Sequence, residues 1–327
     1  MKCIYCGKDS KYSECADGRC KCGKRFAFEP KKGDRFTDAG FKSAIDSVSA
    51  NGQIRWGVVH LYYELCRRLR KRAWLGLGSL LRRFGPRMVR LDQTTFDGLW
   101  KRWVRAHDNP PGLIVRKPDR AVSRPREADI GDYSFDRAVI CDRARTVDLL
   151  IANNFHFENS CAVLSIRGYP QGPFETVRTM LKRNPKLQVF ALHDASIPGC
   201  ELAHTLANDP LWFKGQALVT DVGLRPRHAG PCRGLYLPRP FEPAVGPRQG
   251  INADELRWLN SYVLELAAIR PEQILKRLFR AINRKEELSS ASGDSGSSGG
   301  GDSNVYSDEG SFSSDAGDSD GGADSFG

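Results

Sequence analysis

Cysteines near the start of the chain are the residues best suited to hold a metal ion. They form two close pairs, Cys3 with Cys6 and Cys20 with Cys22, and a glycine follows each pair. Thirteen residues separate Cys6 from Cys20. The glycines let the backbone turn toward the thiolates, and four thiolates suit a closed structural Zn²⁺ site. The second pair is one residue shorter than usual, so Cys15 is an alternative ligand. We predict a zinc ribbon over residues 1–30, with a nucleic-acid contact as a further candidate role; the alternative is a reduced cysteine cluster without metal.

Polar residues follow the ends of three apolar runs in the middle of the chain. The first run ends at Asp142, the second at Gly168-Tyr169-Pro170, and the third, "VFALHDASIPG", at His193, Asp194 and Ser196. Carboxylates at the ends of adjacent parallel strands supply the oxygen ligands that Mg²⁺ needs. We therefore predict a Mg²⁺ or phosphate site formed by Asp142 and Asp194, with the Ser196 hydroxyl as a further ligand. His193 is a candidate for proton transfer, although such a histidine is more often only hydrogen-bonded.

The elements that position these residues alternate between strands and helices. Strands are predicted over residues 135–141, 161–166 and 187–193, and an amphipathic helical pattern follows each of them. Continuous apolar strands that alternate with helices favour a parallel sheet covered on both faces. Ligands in such sheets lie beyond the carboxyl ends of the strands. We predict an α/β domain over residues 128–240.

Three helical patterns and a basic β element precede this sheet. The segments are "FTDAGFKSAIDSVSANGQ", "RWGVVHLYYELCRRLRKR", "TTFDGLWKRWVRAH" and "NPPGLIVRKP". This order is typical of a winged-helix DNA-binding domain, here over residues 35–120, although a short helical bundle has a similar pattern. We predict DNA contacts from basic residues of the second helix and from two beside the sheet: Arg67, Arg68, Arg70, Lys71, Arg72, Arg167 and Arg178.

Charge is distributed unevenly along the 327 residues. The formal net charge is +11, yet residues 289–327 contain eight acids and no lysine or arginine, so the remainder is still more basic. The strongly positive charge of residues 1–288 favours a polyanionic partner, chiefly nucleic acid. The alternative is a basic surface that is only solvated. Residues 249–287 have a helical pattern, and the Ser/Gly/Asp-rich tail over 288–327 is predicted to be disordered. With no signal peptide, disulfide framework or long apolar span, we expect a cytoplasmic protein without a membrane role.

Three segments together resemble the Toprim domain of the topoisomerase VI A subunit and of the related meiotic double-strand-break transesterase. They are "VICDRARTVDLL", "VLSIRGYPQGPFETVRTMLKR" and "QVFALHDASIPGCELAHTL". Gly168-Tyr169-Pro170 matches the family's Gly-Tyr-Pro, and Arg178 falls where the family has a helix arginine. Asp194 and Gly199 keep the frame of the family's Leu-x-Asp-x-Asp motif. The resemblance spans roughly residues 40 to 230.

The resemblance implies a function and partners. In that family a winged-helix domain precedes Toprim and carries a tyrosine that attacks a DNA phosphodiester, which nominates Tyr63 of the pair Tyr62-Tyr63. Ordinary amphipathic packing is the alternative explanation of this pair. The resemblance also implies that Asp142 and Asp194 hold Mg²⁺, and it suggests a homodimer and a partner ATPase.

Two departures from the family pattern leave three functions open. Asp142 stands where the family has a glutamate, and Ser196 stands where it has a second aspartate. The Ser196 hydroxyl, His193 and Asp221 are the further candidate ligands of a metal site. The chain is therefore expected to bind DNA, either with Mg²⁺-dependent strand cleavage or as a catalytically inactive Toprim scaffold with a regulatory role. A Toprim nuclease of a DNA-defence system, without a tyrosine nucleophile, is the third candidate.

Overall fold

A parallel β-sheet lies at the centre of the structure. The computed structural model describes residues 1–15, 17–76, 91–115, 135–239, 243–291 and 305–307. The sheet strands are β1 (Arg137–Cys141), β2 (Cys161–Ser165), β3 (Gln188–Leu192) and β4 (Leu218–Asp221). Their spatial order is β2-β1-β3-β4, and each neighbouring pair is parallel. The predicted α/β class with a parallel sheet is therefore confirmed.

Helices cover the sheet and form the N-terminal part of the chain. They are α1 (Asp38–Val48), α2 (Val58–Gly76), α3 (Gln93–His107), α4 (Ala144–Ala152), α5 (Phe155–Glu158), α6 (Phe174–Arg183), α7 (Ile197–Cys200), α8 (Leu202–Asn208), α9 (Ala253–Leu259) and α10 (Pro271–Ala291). A short antiparallel pair, β5 (Leu237–Pro238) and β6 (Tyr262–Val263), lies outside the main sheet. No helix of the described residues has the length and apolar character needed to cross a membrane.

The two faces of the sheet belong to two hydrophobic clusters. Because side chains alternate along a strand, Ile140 and Val189 face one cluster while Val139 and Phe190 face the other. The first cluster includes residues of α6 and α8. The second is shared with α4 and with the helices α1, α2 and α3. The N-terminal helices and one face of the sheet thus form one continuous core.

The N-terminal helices have the order expected for a winged helix. The backbone of Trp56 pairs with the segment after α3, donating to Gly112 at 3.0 Å and accepting from Ile114 at 2.8 Å. Residues 116–134, which include the end of the predicted winged-helix domain, lie outside the described residues. The winged-helix assignment, and the Toprim assignment of the sheet, therefore stay predictions.

The N-terminal cysteine segment is docked on α1 and α3. The buried Asp38 carboxylate accepts the backbone N–H groups of Ala27 and Phe28, both at 2.9 Å, and pairs with His107 Nε2 at 2.6 Å. The ring of Phe28 packs against Trp103 of α3. These contacts tie a segment with little core of its own to the helical core.

The C-terminal region, predicted to be helical over residues 249–287, contains two helices separated by a non-helical segment. Between α9 and α10 the chain leaves the helix and passes β6 and a 3-10 turn (Leu266–Ala268). Pro271 lacks an N–H and takes the first position of α10, so the helix begins there. We call residues 262–270 the strap. The predicted disordered tail lies mostly outside the described residues; its first residues continue α10, and Val305–Ser307 is a short strand parallel to β4.

Candidate functional site

The carboxyl ends of β1, β3 and β4 bring four ionisable residues together. Asp142 follows β1, His193 and Asp194 follow β3, and Asp221 is the last residue of β4. All four are buried. The Asp194 N–H donates to Asp142 Oδ2 at 3.0 Å, and His193 Nε2 lies 2.9 Å from Asp221 Oδ1. The two carboxylates that the sequence nominates are therefore neighbours at the sheet end.

Asp194 has protein partners on both carboxylate oxygens. Its Oδ1 accepts the Leu266 N–H of the strap at 2.7 Å, and its Oδ2 accepts Arg143 Nε at 3.1 Å. A second guanidinium, that of Arg145, lies 3.6 Å from the same Oδ2. Burial raises the pKa of Asp194 above its usual range, and the Leu266 N–H and Arg145 offset this rise only in part. Both carboxylate oxygens are thus held by groups of the chain itself.

Asp142 is the least satisfied residue of this sheet end. Its Oδ1 is buried and has no hydrogen-bond partner among the described residues. Arg143 Nε lies 3.9 Å from Oδ2, which is a distant ion pair. Burial and the neighbouring Asp194 raise the pKa of Asp142 to about 6. The side chain therefore holds a proton in weakly acidic conditions and loses it near neutral pH.

His193 is a buried cation between two acceptors. Its Nδ1 lies 2.9 Å from the Asp194 carbonyl oxygen and its Nε2 lies 2.9 Å from the Asp221 carboxylate. A carbonyl and a carboxylate only accept hydrogen bonds, so both ring nitrogens carry a proton. Burial alone lowers the pKa of His193, but Asp221 more than offsets this and the net shift is upward.

Asp221 links His193 to the guanidinium of Arg225. Its Oδ2 accepts Arg225 Nε at 2.7 Å, and Arg225 also pairs with Glu255 at 3.0 Å. Burial raises the pKa of Asp221, but His193 and Arg225 together bring it well below its usual range. Asp221 is therefore committed to an ion-pair network with His193 and Arg225.

Two glycines allow the backbone to approach His193 closely. A Cβ at Gly223 would lie 2.3 Å from His193 Cδ2, and a Cβ at Gly199 would lie 2.2 Å from the Asp194 carbonyl oxygen. Both distances are far inside van der Waals contact, so no side chain fits at either position. Gly199 also donates its N–H to Ser196 Oγ at 3.1 Å. The predicted metal ligand Ser196 thus caps the short helix α7.

Tyr63 is connected to Asp194 through the strap. The tyrosine is only 2 % exposed, and its hydroxyl donates to Glu265 Oε2 at 2.9 Å. Glu265 Oε1 pairs with Arg145 Nη2 at 2.9 Å, and Arg145 is the guanidinium beside Asp194. The sequence-nominated nucleophile and the two carboxylates therefore belong to one contact network, in which the tyrosine hydroxyl is bonded to a carboxylate.

The basic residues predicted to contact DNA have varied surroundings. In α2, Arg67 and Arg68 pair with the buried Glu64, and Arg67 also donates to the Ala268 carbonyl of the strap at 2.7 Å. Arg70 donates to the Arg233 carbonyl. The side chains of Lys71 and Arg72 lie outside the described residues.

The two predicted contacts beside the sheet differ from each other. Arg167 is exposed, and Arg178 pairs with the exposed Glu175 at 2.6 Å and lies over the Phe174 ring. Of the predicted set, Arg67 and Arg68 are thus held in contacts within the protein, whereas Arg167 points to a surface position.

The four N-terminal cysteines form a metal-binding arrangement. The sulfurs of Cys3, Cys6, Cys20 and Cys22 all lie within 4.8 Å of one another. Two of the separations are 3.7 Å and 3.6 Å. A tetrahedral site with Zn–S bonds of about 2.3 Å separates its sulfurs by about 3.8 Å, so this cluster fits zinc. Cys15 is buried and stands outside the cluster.

Within the part of the chain that the structure describes, no other group of three or more histidine, cysteine or acidic side chains has the spacing of a metal site. The carboxylates of Asp142 and Asp194 are instead occupied as described above. Magnesium binding at the sheet end therefore stays a prediction from the sequence.

The strap and the arginines after β1 were not among the residues nominated from sequence. Arg143 and Arg145 stand directly after Asp142 in "CDRAR", so a signal for positive charge at this position is present. Glu265 and Leu266 have no comparable signal, because they lie more than seventy residues from Asp194 in a segment with a helical pattern.

Comparisons of the chain with protein-family models, with curated proteins and with solved structures gave no match. The resemblance to the topoisomerase VI A subunit therefore rests on the quoted motifs alone.

Proposed function

We propose that this protein binds DNA through its basic surface, and that the end of its Toprim-like sheet is a structural charge network. The structural role of the sheet end is supported by the bonding of the Asp194 carboxylate. A backbone N–H occupies one of its oxygens, and guanidinium groups occupy the other. A cation would have to displace these donors, at the cost of leaving buried groups without partners.

The basic surface supports DNA binding. Residues 1–35 alone contain ten lysines and arginines against five acids. Such a surface neutralises backbone phosphates and releases their counterions, which gives affinity without sequence specificity. This mode of binding requires no active site at the sheet end.

DNA strand cleavage is the second candidate function. It is favoured by the contact chain from Tyr63 through Glu265 and Arg145 to Asp194, which links the nominated nucleophile to the carboxylates. Attack by Tyr63 on a phosphodiester requires the strap to move, because its hydroxyl is bonded to Glu265 and its side chain is buried. The homodimer and the partner ATPase implied by the resemblance belong to this candidate.

A binding and cleavage assay on the full chain separates these functions. Labelled duplex DNA is titrated with protein at low and high salt, and supercoiled plasmid is incubated with Mg²⁺ or Mn²⁺. We expect salt-sensitive binding and no cleavage. Absence of binding at low salt contradicts DNA binding altogether.

Two variants identify the enzyme if cleavage occurs. Cleavage that is lost in Asp194→Ala and kept in Tyr63→Phe indicates a nuclease. Loss in both variants, with a covalent protein–DNA adduct in the natural chain, indicates a transesterase. Either result contradicts the structural role of the sheet end.

A further inference from the structure

The two cysteine turns of the N-terminal segment repeat one pattern. A basic residue precedes the first cysteine of each turn, and Gly-Lys follows the second: Lys2-Cys3 with Cys6-Gly7-Lys8, and Arg19-Cys20 with Cys22-Gly23-Lys24. The backbone bonds repeat as well. Cys3 N–H donates to the Lys8 carbonyl at 3.0 Å, and Cys20 N–H donates to the Lys24 carbonyl at 2.8 Å. Lys8 and Lys24 therefore leave their turns at equivalent positions.

The repeat places exposed positive charge around the cluster. The basic side chains exposed on the two turns are Lys2, Lys8, Arg19, Lys21, Lys24 and Arg25. Among the described residues, no carboxylate lies within ion-pair distance of Lys8, Lys24 or Arg25, whereas Lys21 pairs with Glu14 at 3.3 Å. The charges of these three cations are thus not neutralised by a carboxylate of the described residues.

An exposed aromatic ring lies among these charges. Tyr5 occupies the first turn, between Cys3 and Cys6, and is 49 % exposed. The Lys24 ammonium lies 4.9 Å from the centre of its ring. The tyrosine hydroxyl lies 3.2 Å from His107 Nδ1 of α3, a contact that holds the ring in place. A fixed, half-exposed ring in contact with a lysine has the features of a stacking platform for nucleic-acid bases.

We propose that this face of the cysteine segment binds a single-stranded nucleic acid, with one base stacked on Tyr5 and the flanking phosphates paired with Lys8, Lys24 and Arg25. A single strand is favoured over a duplex because the bases of a duplex are already stacked on one another and do not reach a protein ring. The inference rests on the proposed nucleic-acid binding and deepens it, because it names the ligand form and the site.

The test measures the affinity of the full, zinc-loaded chain for fluorescein-labelled oligo(dT), oligo(rU) and a duplex of equal length by fluorescence anisotropy. We expect Tyr5→Ala to weaken binding of a single strand about tenfold. We expect Tyr5→Trp to keep the affinity, because a larger ring still stacks. Duplex affinity should change less than about twofold in both variants, since phosphate contacts dominate it.

Tyr12→Ala is the matched control. Tyr12 also has a lysine over its ring, Lys31 at 5.0 Å, but it is less exposed than Tyr5 and its hydroxyl donates to Glu29. Its loss should leave the single-strand affinity unchanged. Zinc content and the thermal unfolding midpoint of each variant show whether the segment is intact. Lys24→Glu removes a proposed phosphate contact together with the ammonium that lies over the Tyr5 ring.

The outcomes separate this inference from the proposed function. If Tyr5→Ala and Lys24→Glu both bind single strands as the natural chain does, while duplex binding persists, the site is overturned and DNA binding stands. If the natural chain binds neither form, both proposals are overturned. A loss with oligo(dT) and oligo(rU) alike supports a site that stacks bases of either nucleic acid, and a loss with one of them identifies which of the two strands the site accepts.

Discussion

The Tyr63 hydroxyl donates a hydrogen bond of 2.9 Å to Glu265, a residue 202 positions further along the chain. This bond joins α2 to the strap. The strap is joined in turn to β3, because Leu264 pairs with Ala195 and the Leu266 N–H donates to Asp194. Three distant parts of the chain therefore meet at the sheet end and close it.

Removal of this hydroxyl tests its structural role. In Tyr63→Phe, Glu265 loses a buried donor, and a hydrogen bond to a charged group contributes about 2 kcal/mol. Urea denaturation should show a loss of that size. Tyr12→Phe is the control, because its hydroxyl also donates to a glutamate but water can replace it at the half-exposed position. We expect a loss below about 1 kcal/mol there, and equal losses in both variants would contradict a special role for Tyr63.

The close approach at His193 predicts intolerance of a single methyl group. Gly223→Ala places a Cβ 2.3 Å from the buried imidazole, so it should destabilise the fold by about 3 kcal/mol or more. Gly98→Ala, at an exposed position of α3 with open space around it, should stabilise the protein by about 0.8 kcal/mol. Thermal denaturation of the two variants gives shifts of opposite sign if the contacts are as described.

Sequence patterns predicted which residues meet at the sheet end, but they did not predict the strap that packs against it. Asp142 and Asp194 could be placed together because parallel strands align their carboxyl ends, a consequence of topology that local patterns reveal. The cysteine cluster could also be predicted, because the spacing of the cysteines within the two turns is visible in the sequence.

Contacts made by the strap could not be predicted in the same way. Glu265 meets Tyr63, and Arg270 meets the buried Glu64 at 3.2 Å across 206 residues. No local periodicity encodes such partners. Pro271 disfavours helix at the preceding residue and so marks where the helical pattern breaks, but it does not specify the partners of the strap.

The raised pKa of Asp142 leads us to expect that the stability of the protein depends on pH. This pKa is raised from 3.8 to about 6 in the folded protein, chiefly by burial. The folded state therefore binds this proton more tightly than the unfolded state. The resulting stabilisation is complete below pH 4 and is lost as the pH rises through 6, by about 2 to 3 kcal/mol.

A difference measurement isolates this residue from other titrating groups. The free energy of unfolding of the natural chain minus that of Asp142→Asn should fall between pH 4 and pH 7, because the asparagine carries no titrating proton. A difference that stays constant over this interval contradicts the raised pKa.

The cysteine geometry predicts which thiols hold the metal. The natural chain, purified in the presence of zinc, should contain about one zinc ion per molecule, as measured by elemental mass spectrometry. Cys22→Ser should lose it, because Cys22 is within the four-sulfur cluster. Cys15→Ser should keep it, and the reverse pattern would show that Cys15 is the fourth ligand.

DNA affinity measured against salt tests the proposed function most directly. The dissociation constant for a labelled duplex, determined at 50 and 200 mM salt with and without Mg²⁺, should rise at least about tenfold with salt because phosphate contacts release counterions. It should not require Mg²⁺, because the Asp194 carboxylate is already held by Leu266, Arg143 and Arg145. Absence of binding at 50 mM salt, or binding that appears only with Mg²⁺, would contradict it.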